Sequence, residues 1–103
     1  MKHVSDEYNV FLKEGGQATA AFMDMVMKID GASALDSKTN ELAYIAVLSA
    51  VGLTGGLPFH VKSAKKLGAT RDEVKSAVLL GLPAVGLAIT QALPVVLQSY
   101  EEE

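Results

Sequence analysis

Two ionisable side chains stand out from this chain by their surroundings. Glu41 opens the run "ELAYIAVLSAV" (41–51), in which every other side chain is apolar or uncharged. His60 is the only ionisable residue in "GLTGGLPFH" (52–60), a stretch crowded with Gly and Pro. A carboxyl and an imidazole are the side chains that most often give and take protons in catalysis. Tyr44, one helical turn beyond Glu41, adds a hydroxyl to the same face. Such a set suits proton transfer near neutral pH. Lys38 and Lys62, close to them in sequence, are cations able to attract an anionic group. A structural role fits the same residues: Glu41 and His60 can tie two helices together across the Gly-rich turn, since buried polar groups are as a rule hydrogen-bonded. His3, Ser49 and Ser63 have no neighbouring motif of an activated group. Lys65, Lys66, Arg71 and Asp72 read as a solvated face.

The elements that must position these residues read as helices throughout. "SDEYNVFLKEGG" (5–16) is a short opening helix stopped by Gly15 and Gly16. "ATAAFMDMVMKIDG" (18–31) places Phe22, Met25, Val26 and Ile29 at i, i+3, i+4 and i+7, one face of a helix. That Met-rich stripe reads as core filler, with Gly31 as the stop. The third helix is capped by Asp36 or Ser37, and from Leu42 to Val51 it is apolar nearly all round, which marks a central, buried element. Pro58 suits the first turn of a fourth helix and Gly68 its end. "TRDEV" (70–74) is a capping box, in which Thr70 accepts from the backbone of Glu73 and Glu73 reaches back. That fifth helix ends near Gly81–Pro83. A last helix is expected from about Ala84 to Ser99, kinked at Pro94.

With 103 residues the chain is expected to form one domain over 1–103. It is all-α, a compact bundle of about six helices. Net charge is −3 and there is no cysteine. Disulfides, thiolate metal sites, iron–sulfur clusters and a Cys nucleophile are therefore excluded, and neither a metal nor a cofactor is expected. No basic stripe interleaved with aromatics points to nucleic acid. The charged start lacks the apolar stretch of a signal peptide. The apolar segment 77–97 is broken by Gly81, Pro83, Thr90 and Gln91 into pieces shorter than the ~20 residues a bilayer span needs. A cytoplasmic protein is expected. The acidic end "YEEE" reads as frayed and solvated. Hydrophobic residues make up 50%, more than one small domain should hide, so a homo-oligomer is expected to bury the surplus.

"LDSKTNELAYIAVLSAVG" followed by "HVKSAKKLGATRDEV" resembles the carboxymuconolactone decarboxylase and alkylhydroperoxidase D-like family over roughly residues 20–98. The resemblance implies an all-helical, alkylhydroperoxidase D-like domain assembled as a trimer or hexamer. The redox branch of that family carries E-x11-C-x2-C-x3-H. On this sequence the spacing holds without a gap: Glu41 falls on the acid and His60 on the histidine, while Leu53 and Gly56 occupy the two cysteine positions. Peroxide reduction needs an attacking thiolate and a resolving thiol, so a thiol peroxidase is ruled out. The decarboxylase branch works without the cysteine pair, on a lactone bearing a carboxylate. The resemblance therefore implies acid/base decarboxylation of a small lactone or carboxylate, with Glu41, His60 and Tyr44 as catalytic residues. The alternative is a non-catalytic oligomeric ligand-binding or scaffold protein that keeps the fold. The two differ in whether the space beside Glu41 and His60 is open and faced by a cation, or filled by Leu53, Phe59 and their neighbours.

Overall fold

The computed structural model describes residues 4–102. His3, read above as idle, lies outside them. Among the described residues there are six α-helices of nine residues or more: α1 (Asp6–Glu14), α2 (Gln17–Ala32), α3 (Ser37–Val51), α4 (Leu57–Lys66), α5 (Arg71–Leu79) and, after the single-turn α6 (Leu82–Val85), α7 (Ala92–Glu101). Short 3-10 turns at Thr54–Gly56 and Leu87–Gln91 join α3 to α4 and α6 to α7. There is no strand among the described residues.

The helix ends are held by local signals, of which the Asp36 cap and the Thr70–Glu73 box are legible in the sequence. Ser5 caps α1, and Asp36 caps α3 by accepting from the Thr39 N–H at 2.8 Å. Gly52 ends α3 at φ +79°, a left-handed conformation that costs a side-chain-bearing residue 1–2 kcal/mol, roughly. The capping box of α5 is complete: Thr70 N–H donates to Glu73 Oε1 at 2.8 Å, and Glu73 N–H donates to Thr70 Oγ1 at 3.1 Å.

The core lies among four helices. α3 packs on α4 and α5, and α7 packs on the same two. Ile45 and Leu48 of α3 meet Leu57, Val61 and Ala64 of α4, Val74 and Val78 of α5, and Ala92 and Val96 of α7. Each set recurs at three- or four-residue spacing, so each helix offers one apolar stripe.

Several expectations are corrected. α2 runs through Gly31 to Ala32. The single helix expected over 84–99 is three pieces, broken at Gly86, which takes φ +89°. Pro94 then lies in the first turn of α7, where its missing N–H removes no helical hydrogen bond, so the kink is avoided. The Met stripe is not core filler within one chain: α2 has no buried residue, and Met25, Val26 and Ile29 are exposed. α3 is buried on one side only, through Ile45, Leu48 and Ser49, while Val47 and Val51 face outward. The end of α7 is not free. Lys65 Nζ donates to the Tyr100 carbonyl at 2.7 Å, Arg71 pairs with Glu101 at 2.7 Å, and Lys62 donates to the Glu102 carbonyl. Thus Lys65 and Arg71, read as a solvated face, hold that end in place.

α1 and α2 form a hairpin outside the core. Phe22 packs edge to face on both Tyr8 and Phe11, which are tilted against each other, with ring centroids 5.4–6.4 Å apart. Asn40 donates to Asp30 at 3.1 Å and accepts from Ser33 at 2.9 Å, joining the end of α2 to the start of α3.

Candidate functional site

Glu41 is the fifth residue of α3 and His60 the fourth of α4. The left-handed Gly52 and the 3-10 turn reverse the chain between them. The buried pairs Ile45/Leu48 and Leu57/Val61 then clamp the two helices side by side. This brings His60 Nδ1 to 2.7 Å from Glu41 Oε2. Both side chains are largely shielded, 26% exposed for His60 and 21% for Glu41.

With Nδ1–H donating to the carboxylate, a neutral imidazole presents Nε2 as an acceptor. Among the described residues Nε2 has no hydrogen-bond partner, yet it is not a buried unsatisfied atom, so it reaches solvent. The ring is held on two sides. Tyr44 meets it edge to face at 4.6 Å, and Phe59 at 5.3 Å. A fixed ring with one nitrogen engaged and the other open is the arrangement of a proton-transfer group oriented by a carboxylate.

The sequence offered two cations for this site, and both are engaged elsewhere. Lys38 pairs with Glu73 at 2.9 Å, joining the starts of α3 and α5. Lys62 reaches the end of α7. The backbone N–H of Thr70 and the Lys38 ammonium hold the Glu73 carboxyl below its usual range. The backbone N–H of Thr39 does the same for Asp36. Sequence reading missed this Lys38–Glu73 link, because nothing local marks a pair 35 positions apart.

Leu53 and Gly56 open and close the 3-10 turn that leads to His60, with the Gly56 N–H donating to the Leu53 carbonyl at 3.1 Å. A Cβ at Gly56 would lie 3.3 Å from Leu48 Cδ1. The turn keeps the short spacing of a two-thiol loop with an aliphatic side chain at one end and none at the other.

An open groove of about 460 Å³ runs between α3 and α5, floored by Leu42, Ala43, Ala77 and Leu80. Neither Glu41 nor His60 lines it. Among the described residues no group of three or more His, Asp or Glu side chains could hold a metal ion, and no helix is long and apolar enough to cross a membrane.

The sequence model of the carboxymuconolactone decarboxylase family matches residues 16–98, which include all of α2 to α6 and most of α7. The chain belongs to the carboxymuconolactone decarboxylase family. No curated protein and no solved structure matches it. As a family member it is free of cysteine, and its Glu41–His60 pair joins α3 to α4 at 2.7 Å.

Proposed function

We propose that this carboxymuconolactone decarboxylase family member catalyses acid/base decarboxylation of a small lactone or carboxylate, with no thiol peroxidase activity. The observation that carries the reading is the 2.7 Å contact of His60 Nδ1 with Glu41, which leaves Nε2 free for a reactant. As the bond from carbon to the carboxylate breaks, CO2 leaves and the electron pair stays on carbon, delocalised into a neighbouring carbonyl. Protonated His60 then delivers its Nε2 proton to that carbon, and the Glu41 carboxylate stabilises the imidazolium before and during the transfer. The Tyr44 hydroxyl, without a hydrogen-bond partner among the described residues, is the neighbouring donor for the developing oxyanion. No metal or other cofactor takes part in this reading.

The test is CO2 release from a panel of small lactone acids, with deuterium incorporation at the product carbon in heavy water. Glu41→Gln and His60→Gln should each lower turnover by roughly 10²–10⁴-fold, and Tyr44→Phe by less. Full turnover in both single variants would overturn the assignment. In the same preparation, hydroperoxide with a dithiol regenerating system should give no turnover above background.

We further propose that the chain is a cytoplasmic homo-oligomer, a trimer or a hexamer, which light scattering coupled to size exclusion at micromolar concentration would test. A second reading, a ligand-binding or scaffold protein without catalysis, is favoured by one observation: Lys38 and Lys62 both bind other parts of the chain. It predicts ligand binding without product, and no functional change beyond stability in Glu41→Gln or His60→Gln.

A further inference from the structure

α3 is uncharged from Leu42 to Val51 on every side, the composition of a helix surrounded by protein. Within one chain it is surrounded on one side only. Its outward face carries Ala43, Tyr44, Val47 and Val51; Val47 is 54% exposed and Val51 63%. Tyr44 is the border of that face, and its ring touches His60. Whatever covers the face therefore covers Tyr44, the ring neighbour of His60.

The chain also carries a helix that packs on little besides α1. α2 is four turns long, has no buried residue, and presents Met25, Val26 and Ile29 to solvent. The two helices match in length, 16 and 15 residues, which is about 24 and 22 Å of axis. They also match in relief. α2 presents long, adaptable Met and Ile side chains and the outward face of α3 presents Ala43 and the short Val47 and Val51, a large-and-small pairing by which helix ridges can fill grooves.

The area agrees with one such contact per chain. The surface is 6676 Å², against roughly 5,500 Å² for a compact monomer of this mass. The radius of gyration, 13.9 Å, likewise exceeds the ~12.8 Å typical of this length. The excess, roughly 1,200 Å², is more than the ~800 Å² that a standard stable interface takes from each partner.

We propose that α2 of a second copy of this chain packs on the outward face of α3, and that this contact encloses the Glu41–His60 pair so that the site is complete only in the assembly. The proposal rests on the acid/base reading only for what the enclosed pair does. Because each chain offers both faces, the contact closes symmetrically, in a dimer or in a ring.

The test exploits the absence of cysteine: every thiol cross-link must come from an introduced residue. Met25→Cys and Val47→Cys chains are mixed, allowed to exchange, and treated with a short bismaleimide. The expected product is the mixed Met25→Cys/Val47→Cys pair, in at least tenfold excess over either identical pair. In a second arm, Val47→Asp, which alters no buried contact of the single chain, should reduce the mass to a monomer with helix content kept. Acylation of His60 by diethyl pyrocarbonate, read by peptide mass, should then rise at least tenfold over the unaltered protein. A monomeric unaltered protein, cross-links confined to identical positions, or equal His60 reactivity in the two proteins would each overturn the proposal. None of these readouts needs a substrate. Their failure is thus separate from failure of the acid/base reading, which turnover of Glu41→Gln and His60→Gln decides.

Discussion

Replacing Glu41 by Gln changes the charge of one side chain and almost nothing of its shape, so it isolates the worth of the contact with His60. The native bond joins a ring N–H to a carboxylate over 2.7 Å. A hydrogen bond to an ionised group contributes about 1.5–3 kcal/mol, and a neutral one about 0.5–1.5 kcal/mol. Gln can still accept the same N–H through its carbonyl oxygen. The expected loss is therefore the difference, about 1 kcal/mol. With both side chains more than two-thirds shielded, solvent screening does not reduce it to the value of a surface pair. In a domain of this size 1 kcal/mol moves the thermal midpoint by about 4–8 °C. The assay is a urea series at pH 7 on the parent, Glu41→Gln, His60→Gln and the double variant, at one fixed protein concentration because assembly shifts the midpoint. The two single losses should exceed the double loss by about 1 kcal/mol, well beyond the ~0.5 kcal/mol scatter of independent sites. Additive losses would show that the two groups do not interact in solution, and would remove the basis for treating His60 as a ring oriented by Glu41.

Thr70→Ala removes the acceptor of the α5 capping box and should cost about 1 kcal/mol in the same urea assay. Asp36 and Glu73 both titrate lower in the folded chain than in the unfolded one. Their contribution is thus present above the ordinary carboxylate range and is lost as pH falls through the lowered folded values. The thermal midpoint should fall on acidification below about pH 4, and the decline should be shallower in Asp36→Asn and Glu73→Gln. Ile45→Ala opens a void where α3 meets the core and should cost about 2–5 kcal/mol by denaturant unfolding.

What was legible in the sequence was local or carried by spacing. The Thr70–Glu73 box and the Asp36 cap each lie within four residues of what they determine. Glu41 and His60, 19 residues apart, became legible through the spacing of a family loop rather than through any local chemistry. The unread features join distant positions. Lys62, Lys65 and Arg71 find the end of α7 across 30 to 40 residues, and a run of lysines looks the same whether it meets water or a carbonyl. Lys38 was read as a substrate anchor, but in the fold it faces Glu73. Gly86 was invisible as a break because the apolar run continues on both sides of it, and only the packing of α7 on α4 and α5 requires the chain to turn there. The Met stripe of α2 has helical periodicity whether or not the same chain supplies a surface for it.

The aromatic trio of α1 and α2 has a consequence for how the chain comes apart. Tyr8, Phe11 and Phe22 form a small cluster of their own, while the buried residues of α3, α4, α5 and α7 form another. Two clusters joined by few contacts open as two units of unequal free energy. In the monomeric Val47→Asp chain, amide protons of α2 should therefore exchange with solvent through small openings that leave the main core intact, while those of Val61 and Val96 wait for global unfolding. Tyrosine reports both events, because the chain has no tryptophan. Tyr8 belongs to the outer hairpin, and Tyr100, whose hydroxyl donates to the Ala69 carbonyl at 2.8 Å, belongs to the core. Tyrosine emission on heating should thus trace two steps, and Tyr8→Phe should erase the earlier one.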